Sequence, residues 1–310
     1  MAEAAMAVEV ARGLRLRTPV IVASGTFGYG FDAPAVDRRS LGAIISKGTT
    51  PRARAGNDPV RIAETPSGML NAIGLQNPGV DHVIREYAPV WATWDIPVIV
   101  NVAGDSIDDY AMVASRLDGV PGIAGLELNV SCPNVVNGLQ FGVDAKLAAQ
   151  LTAAVRRASS LPVIVKLTPN VTDIVEIGRA VQDAGADAVS AINTFVGMAI
   201  DVHHRRPVLS RASGGGLSGP AIKPLALHAV WQLAERLRVP VIAIGGIMTA
   251  GDALEFLLAG AAAIQLGTVN YIRPQAAGEV VEGIGAYMQE RGYTRLDELR
   301  LRRAKLMVHV

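Results

Sequence analysis

The chain has 310 residues, half of them hydrophobic, and a formal net charge of +1. That apolar content is ample for a large core and suits one large α/β domain or two small ones, while near-neutrality removes the electrostatic ground for nucleic acid or an anionic membrane surface as partner. The longest apolar stretches, such as Val98–Val102 and Val239–Ile244, are far too short to span a bilayer, and an N-terminus with Glu3 and Glu9 among alanines lacks the basic start and compact apolar core of a signal peptide, so a cytoplasmic, reducing setting is expected.

The first element, Val8–Arg17, alternates apolar and basic residues and predicts a small hairpin. Eight β-rich apolar runs follow: Val20–Ser24, Ala43–Lys47, Val98–Val102, Gly125–Val130, Val163–Leu167, Ala188–Asn193, Val241–Gly245 and Ala263–Gly267. Most are nearly continuous in apolar residues, as in strands buried on both faces. Helices are predicted between them at Val80–Ala88, Asp108–Leu117, Ala145–Ala158, Ile174–Ala184, Pro220–Leu237, Ala250–Ala259 and Gly278–Arg291, with Asp144, Thr172, Ser218 and Thr249 as N-caps and Gly185, Gly260 and Gly292 as stops. Eight strand–helix units in a chain of this length predict a single (β/α)8 TIM barrel over residues 1–310, its bottom plugged by the hairpin at about 8–17. A doubly wound open sheet is the alternative. Two long connections, about 48–79 and 131–142, interrupt the regular units, and long irregular loops in a compact domain are usually functional.

In such a barrel the active site lies at the C-terminal strand ends. These carry Ser24-Gly25, Lys47-Gly48, Asn101, Asn129, Lys166, Asn193-Thr194, Gly245-Gly246 and Gly267-Thr268. Each alone reads equally well as a strand cap or turn residue; an apolar barrel has no structural need of the set. The glycines of strands seven and eight, with Gly214–Gly219 before a predicted helix start, suit close approach of backbone N–H groups to a phosphate, which a Cβ would obstruct. Ordinary βα turns are the alternative. Lysines emerging from apolar strands, Lys47 and Lys166, need an anionic partner or must reach the rim; a cofactor ring that becomes anionic on reduction and a substrate carboxylate are both suitable. Asn71, in Met69–Gly79, offers donor and acceptor together, as a pyrimidine or amide-bearing substrate requires, whereas Asn77 before Pro78 reads as a turn former.

Cys132 is the only cysteine. It cannot form an intrachain disulfide or supply the thiolates of an iron–sulfur cluster, which leaves a small buried hydrophobe or a reactive acid/base. Its setting, Asn129-Val-Ser-Cys-Pro-Asn134, favours the second. Gly138, Leu139, Phe141 and Gly142 suit a lid over it. The five histidines, His82, His203, His204, His228 and His309, show no zinc-ligand spacing; His203-His204 beside Arg205-Arg206 reads as a solvated basic loop, and neither a P-loop nor a nucleophile elbow is present.

Taken in order, Ala23–Gly28, Lys47–Thr50, Asn71–Gly79, Asn129–Asn134, Val165–Asn170, Ile192–Thr194, Gly215–Pro224, Gly245–Ile247 and Leu266–Thr268 resemble the class I, type B dihydroorotate dehydrogenases, in their FMN-bearing catalytic subunit. The stretch Pro51–Asn57 and an extra glycine near Gly214 depart from the family pattern. The resemblance implies an FMN barrel that oxidises (S)-dihydroorotate to orotate in pyrimidine biosynthesis, with Cys132 as the base at C5 and hydride passing from C6 to flavin N5. It implies Lys47, Asn71, Ala72, Ile73, Gly74, Leu75, Asn129, Asn134, Asn193 and Thr194 as substrate-binding residues. It implies Ser24, Lys47, Gly48, Asn101, Asn129, Lys166, Ile192, Gly219, Gly245, Gly246, Gly267 and Thr268 as FMN-binding residues, with Lys166 near the flavin N1–O2 edge. The family also pairs this subunit with an electron-transfer subunit carrying FAD and a [2Fe–2S] cluster that passes electrons to NAD+, which predicts a heterotetramer around a homodimer core. A type A-like homodimer using fumarate, another FMN-barrel dihydropyrimidine or dihydrouridine reductase, a sugar-phosphate lyase and a non-catalytic scaffold are the competing readings; the Gly74–Gly79 segment favours type B.

Overall fold

Strands buried on both faces can satisfy their backbone groups and cover their side chains by closing on themselves. In the computed structural model, which describes residues 6–31, 36–131, 141–211 and 214–301, the eight apolar runs form a closed parallel barrel. Its strands are β1 (Val20–Val22), β2 (Ala43–Ile45), β3 (Val98–Val102), β4 (Gly125–Asn129), β5 (Val163–Leu167), β6 (Ala188–Ala191), β7 (Val241–Ile244) and β8 (Ala263–Leu266). Each pairs with the next in the chain, and β8 closes on β1 through Ile264–Val20, Gln265–Ile21 and Leu266–Val22. The open-sheet alternative is excluded by that closure.

The near-continuous hydrophobicity conceals a period-2 division. Leu126, Leu128, Val163, Val165 and Leu167 join the helices in the main core. The intervening residues face the barrel axis. At the bottom they are apolar: Ile21, Ala43, Ile45, Ile99, Ile164, Ala188, Ile242 and Ala263 cluster with Val10, Ala11, Leu14 and Leu16. Those last four belong to an antiparallel hairpin, Val8–Ala11 with Leu14–Leu16. Two residues further along, the inward positions of β3, β4, β5, β6 and β8 are polar and buried: Asn101, Glu127, Lys166, Ser190 and Gln265.

The predicted helices are present, with local differences. The segment starting at Val80 runs past the predicted end at Ala88 to Trp91, through a π-helical turn over Val83–Tyr87. Pro89 brings no N–H to the helix, and the wider turn before it accommodates that loss. Helix Ile174–Asp183 is capped by Asp173 rather than Thr172: the Asp173 carboxylate accepts from the N–H groups of Val175 and Glu176 at 2.8 and 3.3 Å. Gly219, not Ser218, occupies the cap before the 3-10 turn Pro220–Ile222 that leads into Lys223–Arg236. Asp144 and Thr249 cap as expected. Between β1 and β2 the described residues hold only the short 3-10 turn Arg38–Ser40.

The connection over residues 48–79 is less irregular than its composition suggests. It contains the strands Ile62–Thr65 and Gly68–Asn71, which join Gly215–Ser218 and Phe195–Gly197 in a four-stranded antiparallel sheet. The Pro66-Ser67-Gly68 turn, with Ser67 at φ 57°, was the available hairpin signal. A second small ribbon pairs Ile200–Asp201 with Arg206–Pro207; His203 and His204 sit in its turn, both backbone N–H groups donating to Asp201 Oδ1.

The hairpin seal and the catalytic end are at opposite ends of the barrel, so their contributions separate. Leu16→Ala, at a 1% exposed side chain, should lower stability by about 2–5 kcal/mol through lost burial and the cavity left behind while ligand affinity at the other end stays unchanged. Urea unfolding and ligand titration of the same preparations check both halves of that statement.

Candidate active site

A cavity of about 350 Å3 opens at the C-terminal ends of the strands, in the range of small-molecule sites. Every candidate residue among the described ones lines it. They are Ser24 after β1, Lys47-Gly48 after β2, Asn101 on β3, Asn129 on β4, Lys166 on β5, Ile192-Asn193-Thr194 after β6, Gly245-Gly246 after β7, Gly267-Thr268 after β8, Gly219, and Asn71-Ala-Ile-Gly-Leu75 from the covering loop. Cys132 and Asn134 lie outside the described residues, as do Gly138 and Leu139. The roots of that connection are well anchored: Gly142 N–H donates to Val130 O at 2.9 Å, and Tyr110 donates its hydroxyl to Asn129 O at 2.6 Å while its ring meets Phe141 edge-on. Phe141 and Gly142 are buried in a 3-10 turn, so this end of the expected lid is packed against the barrel.

The floor is the polar layer of the barrel. Glu127 is wholly buried and accepts hydrogen bonds from Asn101 Nδ2 at 2.7 Å, Ser190 Oγ at 2.8 Å and Gln265 Nε2 at 2.9 Å. Lys166 Nζ lies 3.8 Å from Glu127 Oε2 and donates to Ser24 Oγ at 3.4 Å. Because both amide NH2 groups face the carboxylate, the amide oxygens of Asn101 and Gln265 are turned away from it; both are buried and without a protein partner among the described residues. The sequence reading missed Glu127 and Gln265. Their signal was a charged and an amide residue at alternate positions of otherwise apolar strands, Gly125-Leu-Glu-Leu-Asn129 and Ala263-Ile-Gln-Leu266.

Above the floor, Asn193 Nδ2 donates to Asn129 Oδ1 at 3.0 Å, joining the ends of β4 and β6. The antiparallel sheet roofs the cavity and holds Asn71, whose Nδ2 donates to Gly216 O at 3.2 Å. Asn77 does more than form a turn: its Oδ1 accepts from the N–H groups of Thr50 and Gly79, and its Nδ2 donates to Thr50 Oγ1 and Leu75 O. It thereby ties the Lys47–Thr50 segment to the covering loop. Asn170, given no role of its own in the sequence, donates to Thr194 O and accepts from Val196 N–H, and Arg211 adds a third cation beside Lys47 and Lys166.

The glycines of the rim have reasons other than the one expected. A Cβ at Gly245 would come within 2.6 Å of Ala226 Cβ, and one at Gly246 within 2.8 Å of Lys223 backbone. Both are required by helix packing and by positive φ. Gly267 differs. Its nearest neighbour to a built Cβ is 3.8 Å away and its φ is ordinary, so nothing among the described residues demands glycine there. Thr268 Oγ1 donates to Ser218 Oγ at 2.9 Å, placing two hydroxyls beside that space. The loop over Gly245–Thr249 is held by Asp252, which accepts from Met248 N–H, Thr249 N–H and Lys223 Nζ. Burial pushes the Asp252 carboxyl up, but the hydrogen bonds from Lys223, Met248 and Thr249 outweigh it and hold the group below its ordinary 3.8.

A family model described as dihydroorotate dehydrogenase matches residues 6–288. The protein named "Dihydroorotate dehydrogenase B (NAD(+)), catalytic subunit" from Geotalea uraniireducens (strain Rf4) is 54% identical over 296 residues, covering 95% of this chain and 96% of the relative. Proteins of the same name are 52% identical in Desulforamulus reducens, over 95% of this chain and 97% of the relative, and 54% identical in Trichlorobacter lovleyi, over 95% and 97%.

A carboxyl held below its unfolded value adds stability that is fully present above that value and disappears as pH falls through the folded one. Asp252→Asn should therefore cost about 1 kcal/mol at pH 7, and the gap to the parent should close below pH 3.8. Thermal melts from pH 7 downward test this; equal melting temperatures at pH 7 would remove Asp252 as the anchor of the loop.

Proposed function

This chain belongs to the dihydroorotate dehydrogenase family, and on that premise we infer that it oxidises (S)-dihydroorotate to orotate in pyrimidine biosynthesis, with electrons leaving for NAD+ through a partner subunit. The observation that carries the reading is the convergence on one cavity of Lys47, Asn71, Asn129 and Asn193 above a buried cation, Lys166. A dihydropyrimidine with a carboxylate and two ring amides needs that combination: cations for the carboxylate, and asparagines that both donate and accept for the amides.

FMN fits the remainder of the cavity. The two unpartnered amide oxygens at the floor are acceptors for a ring N–H, Lys166 is a cation for a ring edge that gains negative charge, and the space beside Gly267, with the hydroxyls of Thr268 and Ser218, suits a phosphate. Bound there, FMN supplies a two-electron acceptor for hydride. Ser24, Lys47, Gly48, Asn101, Asn129, Lys166, Ile192, Gly219, Gly245, Gly246, Gly267 and Thr268 would hold it. Lys47 and the segment Asn71–Leu75, with Asn129, Asn134, Asn193 and Thr194, would hold the substrate and keep water from its ring. Cys132 is the base in this reading: an ordinary thiol with pKa about 8.5 becomes a usable base where positive potential favours its thiolate, and Lys47, Lys166 and Arg211 supply such potential to the cavity.

In this reading the reduced cofactor is reoxidised through a partner subunit. One cysteine cannot ligate an iron–sulfur cluster, which supports an electron-transfer subunit carrying FAD and [2Fe–2S] as the route to NAD+. The exposed apolar side chains Val196, Met198, Ile200 and Val202, beside the roof of the cavity, support a protein-covered surface there, in a homodimer core of a heterotetramer. No helix among the described residues is long and apolar enough to cross a membrane; a cytoplasmic location accords with a lone thiol that needs a reducing setting.

The deciding experiment is anaerobic mixing of the purified, FMN-loaded protein with dihydroorotate. The yellow flavin band should bleach, orotate should form in equal amount, and the chain alone should reduce NAD+ poorly. Cys132→Ala should keep FMN and bind dihydroorotate yet lose most of the bleaching rate in stopped flow. A flavin band that dihydroorotate leaves untouched would end the functional reading, and parent-like bleaching by Cys132→Ala would end the assignment of the base.

A further inference from the structure

We propose that Glu127 is a positioning residue that sets how readily the cavity's cofactor accepts electrons, acting through the side chains it holds rather than by touching the ligand; this rests on the FMN reading above. Glu127 does not line the cavity, and neither does Ser190, which donates to it. The residues Glu127 reaches on three other strands, Asn101, Lys166 and Gln265, all line it. The carboxylate is therefore one layer below the ligand, in contact with the side chains that would form the ligand's floor.

Its chemistry has two consequences. A carboxylate accepts hydrogen bonds and donates none, so receiving both Asn101 Nδ2 and Gln265 Nε2 forces both amides into one orientation. Their oxygens then point elsewhere and have no partner among the described residues. A glutamine in the same place would present its own NH2 on one side, and one of the two amides would have to turn over. Second, Glu127 Oε2 is 3.8 Å from Lys166 Nζ, and both side chains are at most 7% exposed. In so little solvent their attraction is strong, and it holds the ammonium toward the floor. Lys166 favours negative charge on an adjacent ring; Glu127 moderates that by keeping the ammonium from moving closer to it. Removing the carboxylate frees the ammonium to approach the ring, which leaves the reduced, anionic form better stabilised.

The test equilibrates FMN-loaded protein with a reference dye at fixed ambient potential and reads the ratio of reduced to oxidised flavin. Glu127→Gln should raise that ratio at least tenfold, which for a two-electron couple is about 30 mV more positive. In a Lys166→Met background the same substitution should move it less than threefold, because the cation it acts through is gone. A Glu127→Gln flavoprotein within twofold of the parent ratio overturns the proposal. So does an equal shift in both backgrounds, which would mean the charge acts on the ring directly. If Glu127→Gln does not accumulate as folded flavoprotein, Glu127→Asp decides: it draws the carboxylate back by one methylene and should raise the ratio at least twofold, and a parent-like ratio overturns the proposal. A parent protein that takes up no FMN would instead overturn the cofactor reading on which this one stands, so the two failures are distinguishable.

Discussion

The structure depends on a buried charge and its partners. Glu127 has no access to water, and an unpaired carboxylate in such a place would be prohibitively unstable. Three donors and one cation, drawn from β3, β5, β6 and β8, compensate it. That requirement also fixes strand register. Asn101 is the neighbour of Glu127 across β3 and β4, and Lys166 is the neighbour of both Asn129 and Ser190. A slip of one residue in any of these strands would turn its polar side chain out against the helices and bring an apolar one in. Breaking such a buried arrangement by removing one partner typically costs about 3–5 kcal/mol, so the polar layer selects one register even though apolar packing would tolerate others.

The barrel is thereby divided along its axis. Below the polar layer the interior is apolar and sealed by the Val10, Ala11, Leu14 and Leu16 side chains of the hairpin. Above it the interior opens into the cavity and is roofed by a sheet whose strands come from two separate connections, β2–β3 and β6–β7. One roof strand carries Gly215-Gly216 for a local reason: a Cβ at Gly216 would lie 2.2 Å from Thr194 Oγ1, and one at Gly215 2.5 Å from Asn71 O. Gly216 thus lets the roof come down on Thr194, and Gly215 lets the neighbouring strand lie close against Asn71; both Thr194 and Asn71 are substrate-binding in the functional reading.

Much of this was legible in the sequence, and the reasons differ by feature. The eight strands were visible because burial on both faces writes continuous apolar runs, and the helices because Asp144 and Thr249 cap them and Gly185, Gly260 and Gly292 end them. The same continuity hid the polar layer: one Glu or Gln among Leu and Ile reads as noise until alternation is known to put it inside. The roof sheet was missed because its strands are only three or four residues long, and Ile62–Thr65 is half exposed. Asn77 was underread because its partners, Thr50 and Leu75, come from both ends of a long connection. The strand-end residues were the most legible part of the site. Their chemistry does not match the apolar runs they terminate, and a barrel gathers all strand ends at one mouth.

The rim glycines show why residue type alone gives the right residues for an incomplete reason. Gly245 and Gly246 read from sequence as room for a phosphate, yet each is already required by contact with Ala226 or Lys223. Their presence would be the same in a barrel that bound nothing. Gly267 is the informative one, because the protein around it leaves a methyl-sized space and uses none of it. The same logic separates Asn101 and Gln265 from the other polar residues of the interior. Ser190 donates its hydroxyl to Glu127, whereas each of the two amides keeps an oxygen that has no partner among the described residues. Buried polar atoms are rarely left unpaired. Two beside one carboxylate, at the floor of one cavity, are what the functional reading needs: acceptors for a ligand that brings donors of its own.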